Sequence, residues 1–262
     1  MNLFIALAPV HFQEVGTTRP VPALALAALL LLMAAGASHG ASDDSREVVQ
    51  ASDILAKIEQ GLPVDYDGVI VEGNLNLSGR TLGTVHFNRT IFLGSVNFEN
   101  TYFMGNSWLR GSSFSGDASF SVAEFSGGDT EFSNANFSGD ADFSYANFSG
   151  GDADFEYAEL SGGDSSFSEA VFSGGDADFS DAVFFGGYAN FRNAEFSGGD
   201  ADFSFANFFD DAYFTNSWFK EDALFEYTIF KGTLHLNRAK YDKYPSPDFT
   251  KTGSLLNRYK LD

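Results

Sequence analysis

Residues 116–160 read GDASFSVAEFSGGDTEFSNANFSGDADFSYANFSGGDADFEYAEL, and the same cadence runs on to Phe230. An aromatic residue, nearly always Phe, returns after five residues, then after six or seven, then after five again: Phe120, Phe125, Phe132, Phe137, Phe143, Phe148, Phe155. Leu160 takes one such place, and Phe167, Phe172, Phe179 and Phe184 resume the run. Self-similarity at a short fixed period is the mark of a solenoid, whose units bury an apolar face only by stacking on their neighbours.

The frame can be written from Val69 onward. Each unit has a large apolar centre, a small or apolar residue two positions before it, and polar residues elsewhere: Leu75-Asn76-Leu77, Val85-His86-Phe87, Ala118-Ser119-Phe120, Ala123-Glu124-Phe125, and so on to Ala239-Lys240-Tyr241. Residues two apart on an extended chain face the same side, so the small residue and the centre point inward and the residue between them points out. Five residues with a turn make one side of a four-sided coil. Every second unit carries one or two extra residues, as in Ser138-Gly139-Asp140 and Ser126-Gly127-Gly128-Asp129, which implies coils of 22 to 24 residues with bulged, Gly-bearing turns at two opposite corners. Coils stacked at ~4.8 Å set Phe upon Phe, and each buried ring contributes roughly 2 to 3 kcal/mol before entropy.

On these units the chain resembles the pentapeptide-repeat family. The resemblance implies an all-β fold, a right-handed quadrilateral β-helix, from Val69 to about Lys243. The centre is Phe where the family mostly has Leu, and the looser spacing is similar to a subgroup whose members usually lack an assigned activity. Some members of the family present an acidic rod that mimics duplex DNA.

Outside the repeats, Val21–Ala35 (VPALALAALLLLMAA) is an apolar run followed by small residues and Asp43-Asp44. It has the length of a secretory signal core and is shorter than the ~20 residues a membrane span prefers. Residues 1–40 are therefore expected to be a signal peptide or a membrane anchor, which places the body outside the cytoplasm. A mis-assigned start or a buried segment is the remaining reading. Residues 41–68 form an N-terminal capping segment: Ser52 is the expected N-cap of a short helix whose Ile54, Leu55 and Ile58 share a face, with Gly61 and Pro63 as stop signals. Residues 244–262 make a basic C-terminal tail.

The formal charge is −21, which repels nucleic acid and favours cations or basic proteins as partners. No Lys or Arg lies between Arg110 and Arg192, whereas Lys220, Lys231, Arg238, Lys240 and Lys243 crowd the other end. In the coil frame the acidic residues form columns. One bulged corner carries Asp129, Asp152, Asp176 and Asp200, each followed two residues later by Glu131, Asp154, Asp178 and Asp202. Three readings of this ladder stay open. Each first Asp accepts hydrogen bonds from turn amides while the second is solvated; or the eight carboxylates bind divalent cations, calcium among them; or they recognise a basic protein. No other cofactor is indicated. Phe185 and Phe209 each follow a central Phe, 24 residues apart, so they are expected to stack outside one face near Val183 as a contact for a partner or another copy.

Nothing suggests catalysis. The chain has no Cys, His11 and His39 fall in or before the leader, and His86 and His235 take outward positions far apart in the repeat. Two functions are carried forward: a non-enzymatic extracytoplasmic module with a structural, adhesive or protein-interaction role at the cell envelope, and, for a cytoplasmic chain, an acidic DNA mimic that inhibits a DNA-binding enzyme.

Overall fold

A computed structural model describes residues 46–243. The leader Val21–Ala35 and the tail 244–262 lie outside the described residues.

The chain passes through four parallel sheets in turn. Sheet one is entered at Ile70–Glu72, sheet two at Leu75–Asn76, sheet three at Thr81–Leu82 and sheet four at Val85–His86, and then the circuit repeats. Among the described residues sheet one has nine strands and the others eight each, so the body is a parallel β-solenoid of about eight coils. Strands are mostly two residues long because the chain must turn after every side.

The two-residue alternation holds throughout. Ala118 and Phe120 are buried while Ser119 between them is not, and the pattern recurs at Ala141/Phe143, Ala153/Phe155 and Ala177/Phe179. Phe120, Phe143, Phe167, Phe191 and Phe214 form one continuous stack, with centroids 4.8–4.9 Å apart and planes within 2°. Adjacent stacks meet edge to face, as Phe143 and Phe155 do at 5.3 Å and 88°. Both arrangements suit the ring quadrupole. Ala is required beside them because these rings already fill the coil. Where Ser or Thr stands at an inward position its hydroxyl is satisfied by a carbonyl: Thr101 Oγ1 donates to Leu77 O at 2.9 Å, and Thr228 Oγ1 to Phe203 O at 2.8 Å. A buried hydroxyl without such a partner would cost stability.

The N-terminal end is more elaborate than the sequence suggests. Strand β1 (Val48–Gln50) pairs with Ile70–Glu72, and β2 (Val64–Asp65) pairs with Val85–His86, so the sheets reach upstream of Val69. Between them lies helix α1 (Ala51–Glu59). Its N-cap is Gln50, not Ser52, because the chain enters the helix directly from a strand: Gln50 keeps extended geometry and its Nε2 donates to Glu72 Oε2 at 2.7 Å. The other end follows the Gly signal. Gly61 has φ +70°, Leu62 N–H donates to Lys57 O and Gly61 N–H to Ile58 O, a Schellman closure. Ile54 is fully buried, and Leu55 and Ile58 pack against the core.

Corners come in two kinds that alternate. Between sheets two and three, and between sheets four and one, the turn is tight and its third residue has positive φ: Val122 at 56° follows Phe120-Ser121, with Ala123 N–H donating to Phe120 O at 3.1 Å. Between sheets one and two, and between three and four, the turn is the Gly-bearing bulge. There the coils approach so closely that a Cβ on Gly174 would stand 2.6 Å from Gly151 O.

Replacing Gly174 by Ala is expected to destabilise the solenoid by about 1–3 kcal/mol through backbone overpacking. Replacing β-branched Val122 by Gly is expected to stabilise it by about 1 kcal/mol, since the left-handed strain disappears. Chemical denaturation of the two variants checks both signs.

Candidate functional site

The bulged corner between sheets three and four carries the first acidic column, and the structure shows what holds it. Asp152 N–H donates to Asp129 Oδ1 at 3.2 Å, Asp176 N–H to Asp152 Oδ1 at 2.9 Å, Asp200 N–H to Asp176 Oδ1 at 2.8 Å and Asp222 N–H to Asp200 Oδ1 at 3.0 Å. Each carboxylate accepts the amide of its own counterpart one coil further on, rather than an amide of its own turn. The preceding Gly is part of the device: a Cβ on Gly175 would fall on Asp152 Oδ1, and one on Gly199 on Asp176 Oδ1. The opposite corner repeats the arrangement through Asp117, Asp140 and Asp164, the last accepting from Tyr188 N–H at 3.3 Å.

The second column lies on the outer face of sheet four, where Glu131, Asp154, Asp178 and Asp202 are register partners in successive strands. Three of these carboxylates are more than solvated. Asp154 Oδ1 accepts Glu156 N–H at 2.8 Å, Asp178 Oδ1 accepts Ser180 N–H at 2.8 Å and Asp202 Oδ1 accepts Ser204 N–H at 2.7 Å, fixing the tight corner that follows. The eight acidic residues of the ladder therefore lie together on one edge and face, and seven of them share in backbone hydrogen bonds. Among the described residues, no group of three or more His, Cys, Asp or Glu side chains is placed so as to hold a metal ion.

Stacked like charges leave a trace. Glu131 is raised above its ordinary pKa by burial first, then by Asp154 and Asp129, against the pull of Arg110. Burial and the Asp178 charge likewise raise Asp154, against the Glu156 amide. Glu156 is raised by burial, Asp178, Asp154 and Asp181, and Asp181 by burial, with Asp178 and Asp202 adding to it. The ladder is bounded by cations. Arg110 acts on its first members, and Lys243 Nζ sits 2.8 Å from Glu221, 3.3 Å from Asp222 and 3.8 Å from Asp200.

Aromatic rings stand beside this acid. The tight corner after sheet four presents Tyr157, Phe205 and Tyr227, each about half exposed, at φ 57–60°. Phe205 and Tyr227 stack at 5.1 Å with planes 17° apart. Sequence reasoning missed this column, because neither Gly nor Asn marks it. Phe185 and Phe209 do come together outside sheet one, at 4.6 Å and 60°. Val183 lies on the strand before Phe185, paired with Asn207. Both rings are half-buried, and Lys231 Nζ covers Phe209 at 3.3 Å from its centroid. His86 and His235 lie on different sheets, four and two. His235 stacks on Tyr213 at 4.3 Å, with Nε2 3.6 Å from Asp211.

A family model described as pentapeptide repeats, nine copies long, matches residues 82–124 and 191–240. The chain is a pentapeptide-repeat protein. The matched stretches are where a coil takes 22 residues, as from Val96 to Ala118 and from Ala201 to Ala223. In the stretch between, the coil of this pentapeptide-repeat protein lengthens to 24, as from Ala153 to Ala177, while the same four sheets continue. No curated protein matches the chain.

Two expectations follow. Asp152→Ala removes the acceptor of the Asp176 amide and is expected to cost about 0.5–1.5 kcal/mol, whereas Asp152→Asn keeps the acceptor, sheds a charge and should be neutral or stabilising in the same melting assay. For pH, four carboxylates whose folded pKa values are raised bind protons more readily in the native state. The stability they forgo at neutral pH returns as pH falls through those values, so the melting temperature should be higher near about pH 5 than at pH 7. Glu195 works in the opposite direction, since the Lys220 hydrogen bond lowers it. A thermal scan against pH at fixed ionic strength reads the balance.

Proposed function

We propose that this pentapeptide-repeat protein is a non-enzymatic interaction module that acts outside the cytoplasm and docks a basic protein along the outer face of sheet four. The observation that carries the reading is the pairing of exposed aromatic residues with stacked carboxylates on one face. Tyr157, Phe205 and Tyr227 occupy backbone positions that disfavour bulky L-residues, so their presence costs stability. Strained and exposed positions of this kind concentrate at functional surfaces. Carboxylates beside rings suit Lys and Arg side chains, which take ion pairs from the first and cation–π contacts from the second. The chain shows such a contact within itself, where the Arg192 guanidinium lies 3.6 Å from the Tyr213 centroid.

The extracytoplasmic location rests on the apolar run Val21–Ala35. Among the described residues no helix is long and apolar enough to cross a membrane. The non-enzymatic reading is supported by the separation of His86 from His235 and by the absence of Cys from the chain.

Binding of a short oligo-arginine peptide, measured by calorimetry, is expected to weaken steeply with salt. It should weaken again in a Phe205→Ser, Tyr227→Ser double variant whose charge is unchanged. Equal affinity in the variant would sink the docking face. Fractionation of the full-length chain in its own host tests the location, and recovery in the cytosol would transfer the acidic face to the DNA-mimic reading.

A further inference from the structure

At the other end of sheet four, a groove of about 520 Å³ opens between Arg89, Trp108, Arg110, Glu131 and Asn134, within the ~300–1,000 Å³ range of small-ligand sites. Its origin is local. The tight corner after sheet four runs Arg89, Gly111, Asn134 in successive coils, and Gly111, at φ +65°, leaves a missing side chain between two long ones. Trp108 faces out from sheet four between its register partners His86 and Glu131. Among the described residues neither the Arg89 nor the Arg110 guanidinium has a carboxylate within ion-pair distance, whereas Arg80, Lys220 and Lys243 all do. Arg110 is held by its backbone alone, its N–H donating to Asn88 Oδ1 at 3.1 Å.

We infer that this groove binds a saccharide unit bearing a carboxylate, such as a uronic acid. Two free guanidinium forks match a carboxylate in bidentate geometry. The indole of Trp108 offers a flat apolar surface for the sugar ring. Glu131 and Asn134 accept and donate to hydroxyl groups. The carboxylate of Glu131 disfavours a multiply charged anion, so inorganic phosphate fits worse than a mostly neutral ligand with a single negative charge.

The chain has two Trp residues, so a Trp218→Phe background leaves Trp108 as the only indole and the reporter. Digalacturonate is expected to change its fluorescence saturably. Arg89→Gln and Arg110→Gln should each weaken binding about tenfold or more, in step with the loss of a bidentate pair, with melting temperatures unchanged because neither guanidinium has an ion-pair partner to lose. Gly111→Asn, a residue the same corner accepts at Asn134, should fill the groove and abolish the response with both arginines intact. The dimethyl ester of digalacturonate should bind at least about tenfold less tightly, and inorganic phosphate should give no saturable signal. No saturable response to digalacturonate, an equal response to ester or phosphate, or full binding by the arginine or Gly111 variants each overturns the inference.

Discussion

In-register stacking is the constraint on which everything else rests. A parallel coil lies on the one before it with each residue over its own counterpart, about 4.8 Å away. For Phe this is an advantage, because rings in successive coils stack nearly coplanar, down to 4.7 Å and 0° for Phe196 and Phe219. For Asp it is a liability, because like charges recur at the same interval. The bulged corner resolves the conflict by turning each Asp into an acceptor for the amide of the next coil, as between Asp152 and Asp176. The Gly before each Asp gives room for the carboxylate below it. Core and corner thus follow one rule: a residue is kept if it can sit on itself.

That rule also governs what was legible in the sequence. The inward Phe and Ala positions, the four sides and the two bulged corners follow from the spacing alone, since a side-chain period of two and an extra residue at alternate turns have few other geometries. The ladder residues, Asp129 to Asp202, fall where the frame puts them. Their bonding was less visible: the acceptor role was expected toward a local turn, but the amide served belongs to a residue 24 positions on, as from Asp152 to Asp176. Asp154, Asp178 and Asp202 looked merely solvated because an Asx turn toward a residue two places later has no signal beyond the Asp itself. Ser52 had the right chemistry for a cap, yet a strand ending at Gln50 took the place first. The groove at Trp108 was hidden for a different reason. Its residues come from successive coils in the least repetitive part of the chain, and Gly111 shows its meaning only between Arg89 and Asn134.

Repetition must also stop somewhere, and the two ends stop it differently. At the start, helix α1 buries Ile54 against the first coil and Gly61 closes it, which removes an exposed apolar end. Toward the C-terminal end of the described residues, Tyr241 stacks on Phe219 at 5.2 Å and Lys243 gathers Glu221, Asp222 and Asp200. Because a charge column repels itself along its whole length, a cation at its last rung offsets more than one pair.

The tight corners show where stability has been traded for surface. Their third residue must adopt positive φ, and Gly or Asn would do so most cheaply. Gly79, Asn100, Asn134, Asn193 and Asn216 fit that preference. Tyr157, Phe205 and Tyr227 do not, and all three stand on the corner beside the acidic face, while the corner between sheets two and three has only Tyr145 as an aromatic exception. A core-driven account has no use for them, since each is about half exposed and packs on no inward column. The strain they introduce is small beside that of a misplaced core residue, and the solenoid absorbs it because Phe203, Phe214 and Phe225 beneath hold the coil in place. A rigid stack that carries surplus stability in its core can thus bear costly side chains on its rim.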